Sequence, residues 1–313
     1  MAMANPRNKV IITCAVTGAI HTPTLSDGLP YKPADIARQA IDAAKAGAAI
    51  LHLHARNPQD GSPTGDPDVF AQFLPEIHAA TDAVINLTTG GSPEMTVEDR
   101  LRAALRFQPE MCSLNMGSMN FSFHGMGGKV TEWKFPWEKK YIEDSEAFIF
   151  RNTFRDVARV YQIMADFGTR YEHECYDIGH LYNLAYFLDK GLVKPPLWIQ
   201  SVFGILGGIG ADPDNVTFMR RTADRLFGKD YVWSVLAAGR AQMPLITQAA
   251  MMGGNVRVGL EDSLFIGRGK LASTNAEQVL KIRRILEELG LEVATPDEAR
   301  EILALKGRAN TRL

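Results

Sequence analysis

The run Leu51-His52-Leu53-His54-Ala55-Arg56 closes a β-rich stretch, and residues i and i+2 of a strand share one face. Two imidazoles side by side can bind one divalent metal through their neutral nitrogens. The alternative is a pair of hydrogen-bonded core histidines, which are costly without partners. A tetrahedral site with an open position for substrate needs a third protein ligand. Of the seven His, His173 on a later strand and His180 just beyond it could reach the same place, whereas His78 falls within a helical pattern. Carboxylates are better candidates, in Arg257-Val258-Gly259-Leu260-Glu261-Asp262. Arg257 and Glu261 are four apart and are expected to share a strand's inner face, with Asp262 where that strand ends. The alternative for Glu261-Asp262-Ser263 is a solvated helix cap.

The stretch Glu172-His173-Glu174-Cys175-Tyr176-Asp177 places Glu172, Glu174 and Tyr176 on one face and His173 and Asp177 on the other. A carboxylate there would select a substrate near a metal, or form a buried ion pair with Arg240 or Arg257. Two glycine-rich runs, Thr88-Thr89-Gly90-Gly91 and Gly204 to Asp212, suit anion binding by backbone amides at a helix start. Neither has the P-loop or dinucleotide spacing, and tight turns would explain both equally well.

All these residues lie at the ends of β-rich runs. From Lys9 the runs KVIITCAVTG, AAILHLHAR, AVINLTTGG, MCSLNMG, RYEHECYD, PLWIQSVFG, DYVWSVLAAG and NVRVGLED alternate with helical patterns. PADIARQAIDAAKAG has Pro at its entry and Gly at its exit. Thr96 and Asp99 form a near capping box before RLRAALRFQ. Eight βα units of about 30 residues predict a closed (β/α)8 TIM barrel. An open doubly wound sheet is the alternative, but TGAIHTP stands where its glycine fingerprint would be. In a barrel the C-terminal strand ends carry the active site.

At 313 residues the chain could hold two domains, yet the eight units predict a single barrel domain over 1–313. The excess over a typical ~250-residue barrel lies in an inserted segment after the fourth strand, 118–150, and in an extra C-terminal helix from Pro296. The insert is rich in aromatics and starts at the catalytic face, which suits a lid or a subunit contact. With 34 Lys+Arg against 36 Asp+Glu and no basic stripe, nucleic-acid binding has no electrostatic support. No apolar run approaches the ~18 residues of a membrane span, and the first residues lack a signal-peptide pattern, so a cytoplasmic protein is expected. Cys14, Cys112 and Cys175 are far apart inside apolar runs, as buried free thiols would be.

VIITCAVTGA, HLHAR, TTGG, EMCSLNMGSMNF, EHECYDIG, RVGLED and ATPDEAREIL together resemble the β-keto acid cleavage enzyme family, in the same order and nearly end to end. The resemblance implies a zinc-dependent (β/α)8 barrel, a homotetramer, that combines a β-keto acid with acetyl-CoA to give acetoacetate and a new acyl-CoA. It implies His52, His54 and Glu261 as zinc ligands, and Asp262, oriented by Arg257, as the base. It also implies that Gly91, Thr88 and Ser113 hold the substrate carboxylate; Thr88 replaces a usual Ser and Ser113 a usual Thr, so both hydroxyls are kept. Glu174 matches an acidic position of the family site.

In the family's named member an acidic residue follows Thr-Gly-Ala after the first strand and receives the substrate amine. Here the chain reads Thr17-Gly18-Ala19-Ile20-His21. Ile20 cannot pair with an ammonium group, so Ile20 and His21 are expected to face a less cationic end of the keto acid. The rival readings are a CoA-independent metal-dependent aldolase or lyase and a zinc amidohydrolase-type barrel. The latter typically carries His-x-His on the first strand. No motif marks a CoA site, and the near-neutral charge means that any phosphate site must be a local cluster.

Overall fold

All eight β-rich runs form strands of one closed parallel barrel in the computed structural model, which describes residues 9–90, 95–128 and 130–313. The strands are β1 (Ile12–Ala15), β2 (Ile50–Leu53), β3 (Val84–Leu87), β4 (Met111–Asn115), β5 (Arg170–Cys175), β6 (Leu197–Phe203), β7 (Tyr231–Ala237) and β8 (Asn255–Val258). They pair in chain order and β8 closes on β1. Parallel neighbours need a crossover, and a helix supplies each one: α1 (Pro33–Ala46), α2 (Leu74–Ala80), α3 (Val97–Phe107), α4 (Phe154–Met164), α5 (Ile178–Asp189), α6 (Pro213–Phe227), α7 (Gln242–Met251) and, after β8, α8 (Asn275–Glu288). The expected Thr96–Asp99 capping box opens α3. The pattern DPDVFAQFLPEIHAAT reads as one helix but divides into a single turn, Pro67–Phe70, and α2. Pro75 has no amide hydrogen to continue the first turn, and its ring disfavours the helical conformation before it.

Side chains alternate between the helices and the barrel interior. Cys14, Leu51, Ile85, Cys112 and Cys175 pack outward in the main apolar cluster. The three thiols are free and buried, and burial pushes that of Cys112 up to about 12. Inside, Ile11, Ile50, Val84, Met111 and Trp198 fill the lower end together with Ala299 and Leu303 of the C-terminal helix Pro296–Leu303. That helix is therefore a plug, and the polar inward residues His52, Asn86, Glu172 and Arg257 stand above it, all buried.

The segment 118–150 lies on the opposite, C-terminal face. Met119–Asn120 pairs antiparallel with Ile149–Phe150, and helix Pro136–Asp144 lies between them in sequence. The buried carboxylate of Glu138 accepts from the amide and hydroxyl of Thr24 at 2.9 and 2.8 Å. Trp137 Nε1 donates to the Asp60 carbonyl at 3.0 Å, and the Tyr141 hydroxyl donates to that of Ala19 at 3.1 Å. These bonds tie the insert to the loops after β1 and β2. Phe121, Phe123 and Phe150 form its apolar underside, which clusters with Tyr176 just after β5 and with the partly buried Ile20. Among the described residues no helix is long and apolar enough to cross a membrane.

Candidate active site

His52 is the third residue of β2 and faces inward; His54 follows just past the strand end, nearer the mouth and more exposed. Their Nε2 atoms lie 3.2 Å apart. Glu261 reaches them by a route the alternation does not foresee. The inner face of β8 ends with Arg257, because the strand stops at Val258 and Gly259 turns the chain at φ +137. A Cβ on Gly259 would sit 1.9 Å from the Ala15 carbonyl oxygen, so only glycine fits that turn. The Glu261 amide then donates to the same carbonyl at 3.2 Å, and its carboxylate swings over the mouth. Gly18 leaves room for it: a Cβ there would meet Glu261 Cγ at 2.3 Å. Glu261 Oε1 ends 3.5 Å from each of the two Nε2 atoms.

Arg257, buried within the barrel, holds four carboxylates. Its Nη1 donates to Glu172 and Glu174, both at 3.0 Å, and Nη2 to Glu261 at 2.8 Å. Asp262 receives a bidentate grip, Nε to Oδ2 at 3.1 Å and Nη2 to Oδ1 at 3.0 Å. The ion pair weighed for Glu174 is thus with Arg257, and the Tyr176 hydroxyl donates to its other oxygen at 3.3 Å. Asp262 follows Gly259 in a turn, its amide donating to the Gly259 carbonyl, so the helix-cap reading of Glu261-Asp262-Ser263 does not hold.

One guanidinium cannot neutralise four carboxylates at close range, and the surplus shows in the proton affinities. Burial, opposed by Arg257 and reinforced by Glu261, raises Asp262 to about 6. Burial, with Glu172 adding to it against Arg257, raises Glu174 to about 7. Burial acts the same way on Glu172, but Arg257 and His52 outweigh it and hold that carboxyl down at about 2. His52 is depressed by burial and raised further by Glu261 and Glu172, to about 10.

The donor set fits a divalent metal. Ligand atoms of His52, His54 and Glu261 all lie within 4.8 Å of one another, and the buried Glu261 Oε2 has no hydrogen-bond partner among the described residues. With a metal bound, the neutral tautomer in which His52 Nδ1 donates to Glu172 Oε2, 3.2 Å away, would present the Nε2 lone pair to the centre. His52, Glu172 and Glu174 also cluster within 4.8 Å, but the Arg257 guanidinium and the Asn86 amide already occupy those carboxylates.

The remaining expected residues divide. Ser113 is buried on β4 beside Glu172, and its carbonyl accepts from the Thr89 hydroxyl at 2.5 Å. The Thr88 hydroxyl accepts from the Gly90 amide at 3.0 Å, while Gly91 lies outside the described residues. Ile20 joins the apolar underside of the insert. His21 Nδ1 donates to the Leu260 carbonyl at 2.9 Å, and burial lowers it to about 4, so a neutral imidazole braces the turn that carries Glu261 and Asp262. Neither His173 nor His180 reaches the centre. His173 faces the helices and donates to the Trp198 carbonyl, and His180 accepts from the Tyr176 amide. In the Gly204–Asp212 run the amides of Gly204, Gly208 and Ile209 donate to protein carbonyls, the tight-turn outcome rather than an anion cradle.

Two polar residues near the site, Asn86 and Arg56, have no role assigned from the sequence alone. Asn86, a lone amide in the apolar strand VINL, donates to Glu172. Arg56 is fully buried with neutral partners: Nε donates to the Thr17 hydroxyl at 2.8 Å, Nη1 to the Gly61 carbonyl at 3.0 Å, and Nη2 to the carbonyls of Thr17 and His21 at 2.9 and 2.7 Å. It fastens the loop after β1 to the loop after β2. An arginine in an apolar run was the available signal.

A model of the beta-keto acid cleavage enzyme family matches residues 9–305. The 3,5-dioxohexanoate:acetyl-CoA acetone transferase of Paraburkholderia graminis is 61% identical over 305 residues, which is 97% of this chain and 98% of that protein. The 3-keto-5-aminohexanoate cleavage enzyme of Fusobacterium nucleatum is 35% identical over 299 residues, 95% of this chain and 98% of that one. Among solved structures, apo ObcA superposes with a TM-score of 0.71 at 20% identity, covering 90% of this chain and 66% of the longer ObcA chain, a likeness of fold.

Proposed function

The chain belongs to the beta-keto acid cleavage enzyme family, and from that premise we propose that it condenses a β-keto acid with acetyl-CoA, releasing acetoacetate and a new acyl-CoA. The observation that carries this reading is the bidentate hold of Arg257 on Asp262, beside the converging His52, His54 and Glu261. Zinc suits two imidazoles and one carboxylate with an open position; held there, it would supply Lewis-acid polarisation of the substrate's keto oxygen.

Asp262 takes a proton from the carbon between ketone and carboxylate, its carboxylate held by the Arg257 guanidinium. Arg257 keeps both its oxygens oriented through that transfer. The substrate carbanion adds to the acetyl carbonyl and expels the CoA thiolate. The thiolate then adds to the original keto carbon, and the bond from that carbon to the former carbanion carbon breaks. The fragment that leaves recovers the proton from Asp262 as acetoacetate, and the original acyl group remains on CoA. Thr88, Ser113 and Gly91 are proposed to hold the carboxylate of the keto acid, and Glu174 to border it. A homotetramer in the cytoplasm, each chain one catalytic barrel over 1–313, completes the proposal.

The keto acid's other end faces Ile20 and the aromatic underside of the insert, with a neutral His21 behind. A neutral tail suits that wall, so 3,5-dioxohexanoate, the substrate in the name of the 61% identical relative, is the first candidate. The test is a β-keto acid panel with acetyl-CoA, monitoring acetoacetate. We expect 3,5-dioxohexanoate to be favoured over 3-keto-5-aminohexanoate by about tenfold or more, since an unpaired ammonium against an apolar wall is costly. Equal turnover of the amino compound overturns the neutral-tail assignment.

A further inference from the structure

The loops after β7 and β8 meet beside the proposed base. The first makes a single turn, Gly239–Ala241, carrying Arg240. The second forms an antiparallel hairpin, Phe265–Gly267 with Lys270–Leu271, whose first strand packs against that turn. The Gly239 amide donates to the Asp262 carbonyl at 2.9 Å, which fixes the two loops together directly behind the Asp262 carboxylate. Arg268 and Lys270 flank Gly269 at the hairpin tip. The side chains of Arg240, Arg268 and Lys270 are exposed and make no ion pair or hydrogen bond among the described residues. Elsewhere exposed cations often find acids, as in Lys134 with Asp27, Lys140 with Asp144 and Arg283 with Glu287. At the base of the same hairpin Phe265 and Leu271 face each other across the strands, 44% and 43% exposed.

Unpaired like charges on adjoining loops repel one another until an anion arrives. In β/α barrels the loops after strands 7 and 8 frequently bind phosphate. An exposed aromatic beside them adds an apolar face of the kind on which a nucleobase stacks. Acetyl-CoA has both chemistries at one end, a diphosphate and a 3′-phosphate next to adenine, with its reactive thioester at the far end of a flexible arm. We propose that Arg240, Arg268 and Lys270, with Phe265 and Leu271, bind the phosphoadenosine end of acetyl-CoA, so that the pantetheine arm runs inward past the 259–264 turn to Asp262. This assignment rests on the reading of the chain as an acetyl-CoA-dependent enzyme.

The experiment is calorimetric titration of the full-length, metal-loaded protein with CoA and with adenosine 3′,5′-bisphosphate. Wild type is compared with the triple variant R240E/R268E/K270E and the milder R268Q/K270Q, each checked for an unchanged melting temperature. Exposed charge pairs are individually weak, so we expect the triple variant to weaken both ligands by about tenfold or more. The wild-type affinity should fall with added salt while that of the variant does not. In kinetics, the ratio of kcat/KM for acetyl-CoA to that for S-acetylpantetheine, which lacks the nucleotide, should drop by the same factor. Wild-type affinity for CoA in both variants overturns the proposal, even if acetoacetate is formed. Charge-dependent CoA binding by a wild type that makes no acetoacetate upholds this site and overturns the proposed reaction.

Discussion

Asp262 and Glu261 are neighbours in sequence with separate proposed tasks, and Arg257 touches both. Replacing Asp262 by Asn keeps the size and one acceptor but removes the proton acceptor. We expect kcat/KM to fall by about 100-fold or more while metal content, read by elemental analysis, stays at the wild-type level. His52→Ala should lose metal and turnover together. Two buried histidines that are not metal ligands, His21 and His173, share in acid tolerance. His173, outside the site, is held neutral by burial at about 4 although its Nδ1 donates to the Trp198 carbonyl. Its folded-state affinity lies below the unfolded one, so its contribution is intact above the unfolded value and is lost as pH falls toward the folded value. Between about pH 7 and about pH 5 this amounts to about 2 kcal/mol. Urea unfolding of wild type and His173→Phe at both values should show this share as the difference between them. At this scale the sequence marked candidates where polar residues recur two apart in an apolar strand: His52 with His54 and Glu172 with Glu174 were visible that way. Asn86 and Arg56 were hidden because an amide and a guanidinium in such runs have many structural uses.

The strands were legible because parallel strands buried on both faces read as continuous apolar runs, and the helices because their caps and periodicity agree. What the sequence could not show is where a strand stops. Continued alternation from Arg257 would put Glu261 on the inner face, whereas Gly259 ends the ladder and a turn braced by His21 delivers both acids. Gly18 is the counterpart on the loop after β1. Gly18→Ala should push Glu261 from its place and weaken zinc affinity by about 10- to 100-fold, the usual cost of disturbing a ligand's support. Chelator competition measures this; an unchanged affinity would show that Glu261 is not needed for the metal. The divided second crossover shows the opposite kind of signal, since Pro75 was in plain view but competed with an otherwise good helical pattern.

For the molecule, the two stretches beyond an ordinary barrel occupy opposite ends. The C-terminal helix fills the lower end with apolar contacts, and the insert is fastened to the loops after β1 and β2 through Glu138, Trp137 and Tyr141. On the proposed function the reaction would run between the apolar underside of the insert and the carboxylates gathered on Arg257. Glu138→Gln should loosen the insert's fastening and raise KM for the keto acid more than it lowers kcat, a split that steady-state kinetics can resolve. The central claim is that carbon from acetyl-CoA ends in acetoacetate while the keto acid's acyl group moves to CoA. Acetyl-CoA labelled with 13C in its acetyl group, incubated with 3,5-dioxohexanoate and the metal-loaded enzyme, tests this most directly by mass spectrometry of both products. The account predicts label in acetoacetate and none in the new acyl-CoA; label in the acyl-CoA, or acetoacetate formed without acetyl-CoA, would contradict it.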